Sequence, residues 1–316
     1  LAAAAPDATN YQDLIPVTIA REVLGKIIAG SAVMALARVV RMPAGVEKIP
    51  VLSVAPTAKF VNPTYGGRKP VSKVVWTTEQ VVAEEIATVL SIPNAFLDDA
   101  GFPIWENVRP LVTDAIERCF DAAVLYGDGA PATYPAGGLV AWAAPAPAGA
   151  DGATAIDNAF TQVEGHGLEV DGILGGPALR GIYRNLAITK GWASDVAGTP
   201  EQSLFGVRFA TTPVWDSGKG YALAGDWSYV VVGVREDIRF DLSTEGVLTD
   251  DDGAVTVNAF QDDSTLMRAY MRVGVAFGKP MSADASGQVD PLALAQLGGS
   301  TGAAASTSEP PRRAAK

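Results

Sequence analysis

The chain has 316 residues, 48% hydrophobic and 19% charged, which supplies a sizeable core and excludes a disordered polymer. Its single Cys (Cys119) and single His (His166) exclude an intrachain disulfide and a Cys/His zinc site built by one chain, and leave a Ser-His-Asp or Cys-His enzyme only His166 to use. A net charge of −11 argues against a protein that grips phosphates and reads nucleic-acid sequence.

The charge is unevenly spread. Residues 21–73 hold nine basic groups and two acidic ones, a balance of +7, whereas 74–316 carry −16. Such a chain can attract copies of itself head to tail. No membrane span is expected, because the charge-free run from Ile27 to Ala37 has eleven residues, against the roughly 20 a bilayer needs. Residues 129–150 also lack charge, but Pro131, Pro135, Pro145 and Pro147 make them read as loop. Leu1 has no basic n-region behind it, so no intact signal peptide is expected.

Residues 1–16 read as an extended arm, and Ile19, Val23, Ile27 and Ile28 predict a short helix over 18–29. Arg38 to Met42 reads as a strand, closed by a turn at Pro43-Ala44-Gly45. Residues 46–82 read as two β-branched arms around a tip rich in turn formers, from Asn62 to Pro70. A two-stranded ribbon is marginal alone, and its edges invite other chains; a hairpin packed on its own domain is the competing reading. A strand is expected over 81–90. The strongest helix follows, with Asn107 as N-cap, Pro110 in its first turn and a stop at Gly127. Val108, Leu111, Val112, Ala115, Ile116, Cys119, Phe120 and Ala123 form its apolar stripe, and Glu106, Asp114, Glu117, Arg118 and Asp121 lie on the other side. Beyond it, helices are expected over 156–164 and 177–187, and strands over 172–175, 207–211, 221–224, 229–235, 255–260 and 266–277. Residues 283–316, poor in large apolar groups, read as a disordered tail.

The chemistry-bearing motifs are absent. There is no Walker A loop, dinucleotide glycine fingerprint or Gly-x-Ser-x-Gly elbow. His166 reads as a solvated loop residue and Cys119 as a buried small hydrophobe. Asp250-Asp251-Asp252-Gly253 lacks EF-hand spacing and reads as a solvated turn; Glu84-Glu85 with Asp98-Asp99 reads as charged surface. No catalytic residue, cofactor or metal ligand is expected.

Several runs, in order, resemble a known family. They are Leu36 to Pro43 followed by Ile49-Pro50-Val51-Leu52, then Lys73 to Val82, and Val89 to Asp99 before the helix. Leu125-Tyr126-Gly127-Asp128-Gly129 with Pro135-Ala136-Gly137-Gly138-Leu139, Leu204-Phe205-Gly206-Val207 and Gly225-Asp226-Trp227 complete the set. Over about 15–280 the chain resembles the major capsid proteins of tailed phages, with the Hong Kong 97 fold. Arg208 stands where the family usually has Pro.

The resemblance implies an α+β fold. Its parts would be an N-arm (1–30), a lead-in strand (31–43), an extended β-hairpin E-loop (44–82) and a P-domain with the long spine helix (83–129). A mixed α/β A-domain (130–262), a P-domain return strand (263–282) and a flexible C-terminal tail (283–316) would follow. The implied function is an icosahedral head shell, self-assembled as hexamers and pentamers in the host cytoplasm and enclosing double-stranded DNA without sequence-specific contacts. Portal, scaffolding, protease and decoration proteins are implied partners, and a membrane is not. Lys59, Arg68, Lys69 and Lys73 are the expected inter-subunit contacts. No Asn partner aligns, so lysine crosslinking is not carried over. An encapsulin-like nanocompartment shell is the nearest alternative, and a secreted β-rich hydrolase, weakened by the single His, the remote one.

Overall fold

The computed structural model describes residues 30–54, 74–99, 103–182, 203–204, 207–250, 252–282 and 287–298, with positions 56, 69, 71 and 72. The expected arm and helix within 1–29, most of the hairpin tip and the end of the 177–187 helix lie outside them. The chain forms two compact units, residues 1–142 with 227–289, and 143–226 with 290–316.

The first unit is built on a four-stranded sheet in the order β1 (Arg38–Arg41), β10 (Val230–Ser243), β13 (Ser264–Phe277) and β4 (Glu84–Pro93). β1 runs parallel to β10, and the other pairs are antiparallel. The long helix α3 (Ile104–Tyr126) packs on β4 and β13. It buries Val112, Ile116, Phe120 and Val124 among the apolar residues of this unit, which include Met267, Met271 and Trp227. Two short helices, α1 (Ala32–Leu36) and α2 (Asn94–Asp99), precede it, and α4 (Gly138–Trp142) follows. Gly127 ends α3 in the left-handed conformation, with φ 73° and its amide on the Ala123 carbonyl. Gly138, at φ 68°, leaves no room for a side chain, because a Cβ would lie 2.6 Å from the Leu125 carbonyl. The expected loop at 129–150 therefore contains a helix seated on the end of α3.

Several sequence expectations change here. Helix α3 starts at Ile104 behind Pro103, not at Asn107. The Asn107 amide and side chain both donate to the Pro103 carbonyl, at 3.3 and 3.1 Å. Pro110 thus lies inside the helix, where it removes one backbone hydrogen bond. The buried face is also turned: Leu111 is 53% exposed and Cys119 is exposed, whereas Asp121 is 3% exposed. The expected strand over 81–90 is broken at buried Ala83, whose amide turns to the Gly45 carbonyl. β10 runs on to Ser243, and a small antiparallel pair, β11 (Val247–Thr249) and β12 (Val255–Asn258), follows it.

The second unit holds a six-stranded sheet, β5 (Ala144–Pro145), β14 (Leu292–Ala295), β9 (Ala222–Gly225), β6 (Gly172–Gly175), β8 (Val207–Thr211) and β7 (Ser203–Leu204), in that order. Helix α5 (Gly152–Glu164) packs on β14 and β9 through Ala155, Ile156, Ala159 and Val163. Ala222, Ala224, Ala293 and Ala295 keep that surface low, so the helix can approach closely. This overturns the flexible tail at its first part: every residue of β14 is buried inside the sheet. Composition missed it because Leu-Ala-Leu-Ala is short and free of aromatics, yet small residues are what the helix-covered strand requires. The 130–262 boundary drawn for one domain also differs from the compact unit, which begins at 143, stops at 226 and takes its sixth strand from beyond 289.

Candidate subunit-contact surfaces

Strands β2 (Val46–Val54) and β3 (Val75–Val82) form the expected antiparallel ribbon, in register from Val46↔Val82 to Leu52↔Trp76, with an irregularity before Val54. Pro50 is tolerated because the ribbon has free edges. Every residue of β3 from Val75 to Gln80 is exposed, and burial begins only at Val81. Trp76 is 62% exposed, next in the strand to exposed Val75, which pairs with exposed Val54; Val46, Val71 and Val74 are exposed as well. Strand β3, whose Trp76 is uncovered among the described residues, presents a surface that another molecule can bury, at about 2 kcal/mol for a tryptophan-sized side chain.

The root of the ribbon is fixed by a notch. Gly233 of β10 and Gly274 of β13 stand opposite one another in the ladder. A Cβ on Gly274 would lie 2.7 Å from the Val82 carbonyl carbon, and one on Gly233 would lie 2.8 Å from Val81 Cγ1. Bare backbone lets Val81 and Val82 press onto the sheet, where Val81 packs with Met42, Ala83 and Ala276. Isolated glycines inside the β-branched runs Val230–Val234 and Val273–Val275 are the sequence signal for this close approach.

A hollow of about 520 Å³ at the root is lined by residues that include Val51, Glu79, Tyr134, Trp142, Phe277 and Lys279. Tyr134 donates to the Val273 carbonyl at 2.8 Å, and burial, then Glu84 and Cys119, raise its phenol above the ordinary range. A second hollow, about 400 Å³, has Ile49, Leu52, Tyr229 and Met281 among its lining residues.

Of the four expected contact lysines and arginines, Lys69 is described and exposed. Lys59, Arg68 and Lys73 lie outside the described residues. Exposed acids stand at the β11–β12 turn and before β13, at Asp250, Asp252, Asp262 and Asp263. Asp250 Oδ1 accepts from the amides of Asp252 and Ala254, which makes that turn a self-satisfied one. His166 follows α5 in a turn, with its amide on the Val163 carbonyl. Among the described residues no group of three His, Cys, Asp or Glu side chains is arranged to hold a metal ion. No helix among them is long and apolar enough to cross a membrane.

Comparison with known proteins fits this arrangement. The model of the phage capsid family matches residues 12–174. The major capsid protein of Staphylococcus phage 80alpha is similar at 21% identity over 280 residues, 83% of each chain. A solved chain from Microbacterium phage Oxtober96 is similar at 29% identity and a TM-score of 0.73, over 92% of this chain and 99% of that one. A chain from Mycobacterium phage Bobi, at 24% identity, shares the fold with a TM-score of 0.74 over 93% and 99%.

Proposed function

The chain belongs to the phage capsid family, and from that premise we propose that copies of it join through the β2–β3 ribbon to close an icosahedral head around double-stranded DNA. It is a major capsid protein of the tailed-phage kind and forms the virion shell. The fold is of the Hong Kong 97 type. The observation that carries the assembly reading is the ribbon itself, whose strand β3 is exposed from Val75 to Gln80 and carries Trp76 into solvent. Strand β2 and the tip of the hairpin belong to the basic segment 21–73, and the rest of the chain is acidic. Lys59, Arg68, Lys69 and Lys73 therefore serve as contacts to an acidic face of the next subunit.

In this reading the shell is made of hexamers and pentamers, and portal, scaffolding, protease and decoration proteins are its partners. The protein carries out no catalysis, since the lone His166 has no nucleophile motif beside it. Its acidic balance also keeps the packaged DNA from adhering to the wall.

Electron microscopy of the purified protein, joined to nuclease treatment, tests the proposal. Closed shells that protect DNA from nuclease are the expected result. Shells filled with protein cargo instead would transfer the chain to the nanocompartment reading, and a monomer with hydrolase activity would overturn both.

A further inference from the structure

The four-stranded sheet of the first unit has two outer strands, β1 and β4. β1 is four residues long with an Arg at each end, and short, charged edges resist strand addition. β4 differs. It has ten residues, its ladder with β13 runs from Glu84↔Val273 to Pro93↔Ser264 without a bulge, and it contains no Lys. Among the described residues no strand pairs with its other edge. A long, regular edge of that kind presents a row of backbone donors and acceptors to any strand that fits.

The ends of this edge are closed. Glu84 accepts from the Thr133 hydroxyl at 2.8 Å, and Ile92 is buried and followed by Pro93, which has no amide proton. The open stretch is therefore 85–91, with Thr88 at its centre. The ladder fixes its two faces. Ile86, Thr88 and Leu90 stand opposite buried Met271, Ala269 and Met267, on the side that α3 covers. Glu85, Ala87 and Val89 are exposed and stand opposite Arg272, Tyr270 and Arg268 on the other side.

A head-to-tail contact, such as a basic ribbon on an acidic neighbour, closes rings, and joining rings takes a second contact of another kind. We propose that β4 supplies it: the open edge of one copy pairs antiparallel with the same edge of a second copy, about a twofold axis through Thr88. An axis perpendicular to the sheet keeps α3 of both copies on one face. Ala87 then faces the partner's Val89, Ile86 the partner's Leu90 and Glu85 the partner's Ser91. Apolar meets apolar, and no carboxylate meets another. Two four-stranded sheets continue as one of eight strands. Seven residues span about 23 Å, too little for a dimer stable in dilute solution, so the contact belongs to particles, where the ribbon already holds copies close. Only the identity of the partner, a second copy of this chain, rests on the proposed shell.

Oxidation of particles assembled from variants in a Cys119→Ala background tests the register. T88C is expected to run as a disulfide-linked dimer on non-reducing gels, because opposite residues bring their Cβ atoms to about 5 Å. I86C and L90C alone are expected to stay monomeric, since each lies roughly 13 Å along the strand from its own copy, and the I86C/L90C double variant is expected to link. In the wild type, amide exchange of a peptide spanning 84–93 should slow about tenfold from unassembled subunits to particles. Closed shells in which T88C stays monomeric, or in which I86C alone links as well as T88C, overturn the pairing and leave the ribbon reading standing. Shells whose 84–93 peptide exchanges as fast as in free subunits do the same. If the wild type forms no shells, that reading falls, and the same oxidation series on concentrated subunits still decides the pairing.

Discussion

Ser31 and Asp121 stand ninety positions apart in sequence and share a 2.6 Å hydrogen bond, with the Ser31 hydroxyl donating to Asp121 Oδ1. The same serine oxygen accepts the Met34 amide as N-cap of α1, and Asp121 takes the amides of Ala32 and Val33. A buried carboxylate on the long helix thus satisfies the free donors at the start of a five-residue helix too short to be stable alone. Asp121→Ala strands these donors in a buried site and is expected to destabilise the subunit by about 2–4 kcal/mol. Urea unfolding checks this, and Ser31→Ala should cost clearly less because the backbone bonds survive.

The glycine pair at the ribbon root makes an asymmetric prediction. At Gly274 a Cβ meets backbone of Val82, whereas at Gly233 it meets the Met42 and Val81 side chains, which can shift. Gly274→Ala should cost about 1–3 kcal/mol and Gly233→Ala less. Thermal unfolding of the two variants ranks them, and equal losses would show that the ribbon root can move as a whole.

Reversing Arg68, Lys69 and Lys73 to Glu should leave the subunit folded but weaken its assembly. Exposed pairs contribute about 0.2–1 kcal/mol each, but a shell repeats the contact at every subunit. Raised salt should weaken wild-type assembly in the same direction. Light scattering against ionic strength, with circular dichroism as folding control, reads both. Normal assembly of the triple variant at low salt would hand the ribbon contact to Trp76 and its apolar neighbours instead.

Removing residues 290–316 should unfold the second unit, because β14 lies between β9 and β5 and Leu292 and Leu294 are buried. Leu292→Ala alone should cost about 2–5 kcal/mol. A truncation after Gly298 keeps all of β14. Comparing the melting curves of the two truncations separates the strand from the segment that follows it.

Asp151 caps helix α5, with Oδ1 accepting the Thr154 amide at 2.8 Å. That backbone bond first, then the Thr154 side chain, lowers its carboxyl below the ordinary value of about 3.8. The folded state therefore favours the ionised form. Its contribution is full above the unfolded value and is lost as pH falls through the lower folded value. Asp151→Ala should melt earlier than wild type at neutral pH, and the gap should close as acidification takes the pH below the ordinary carboxylate range and through the lowered folded value. A gap that persists into strong acid would mean that the cap works without its charge.

Order along the chain was largely legible from residue types. The β-branched arms of the ribbon, the αL stop at Gly127, the alternation of Met267 to Phe277 and the lone His and Cys each carry a local signal, and the family runs joined them into one architecture. Local signals cannot say which face of an element meets which neighbour, and there only the tertiary structure decided. Asp121 looked like surface because its partners lie ninety residues away, and Cys119 looked buried because Ala115 and Leu111 share its stripe. Gly233 and Gly274 acquired a purpose only when the ladder set them opposite one another beneath Val81 and Val82. Leu292 to Ala295 carried too little apolar bulk to stand out, yet a strand flanked by two others and covered by α5 needs small residues. Burial is a property of what comes from elsewhere in the chain, which a reading window of a few residues does not contain.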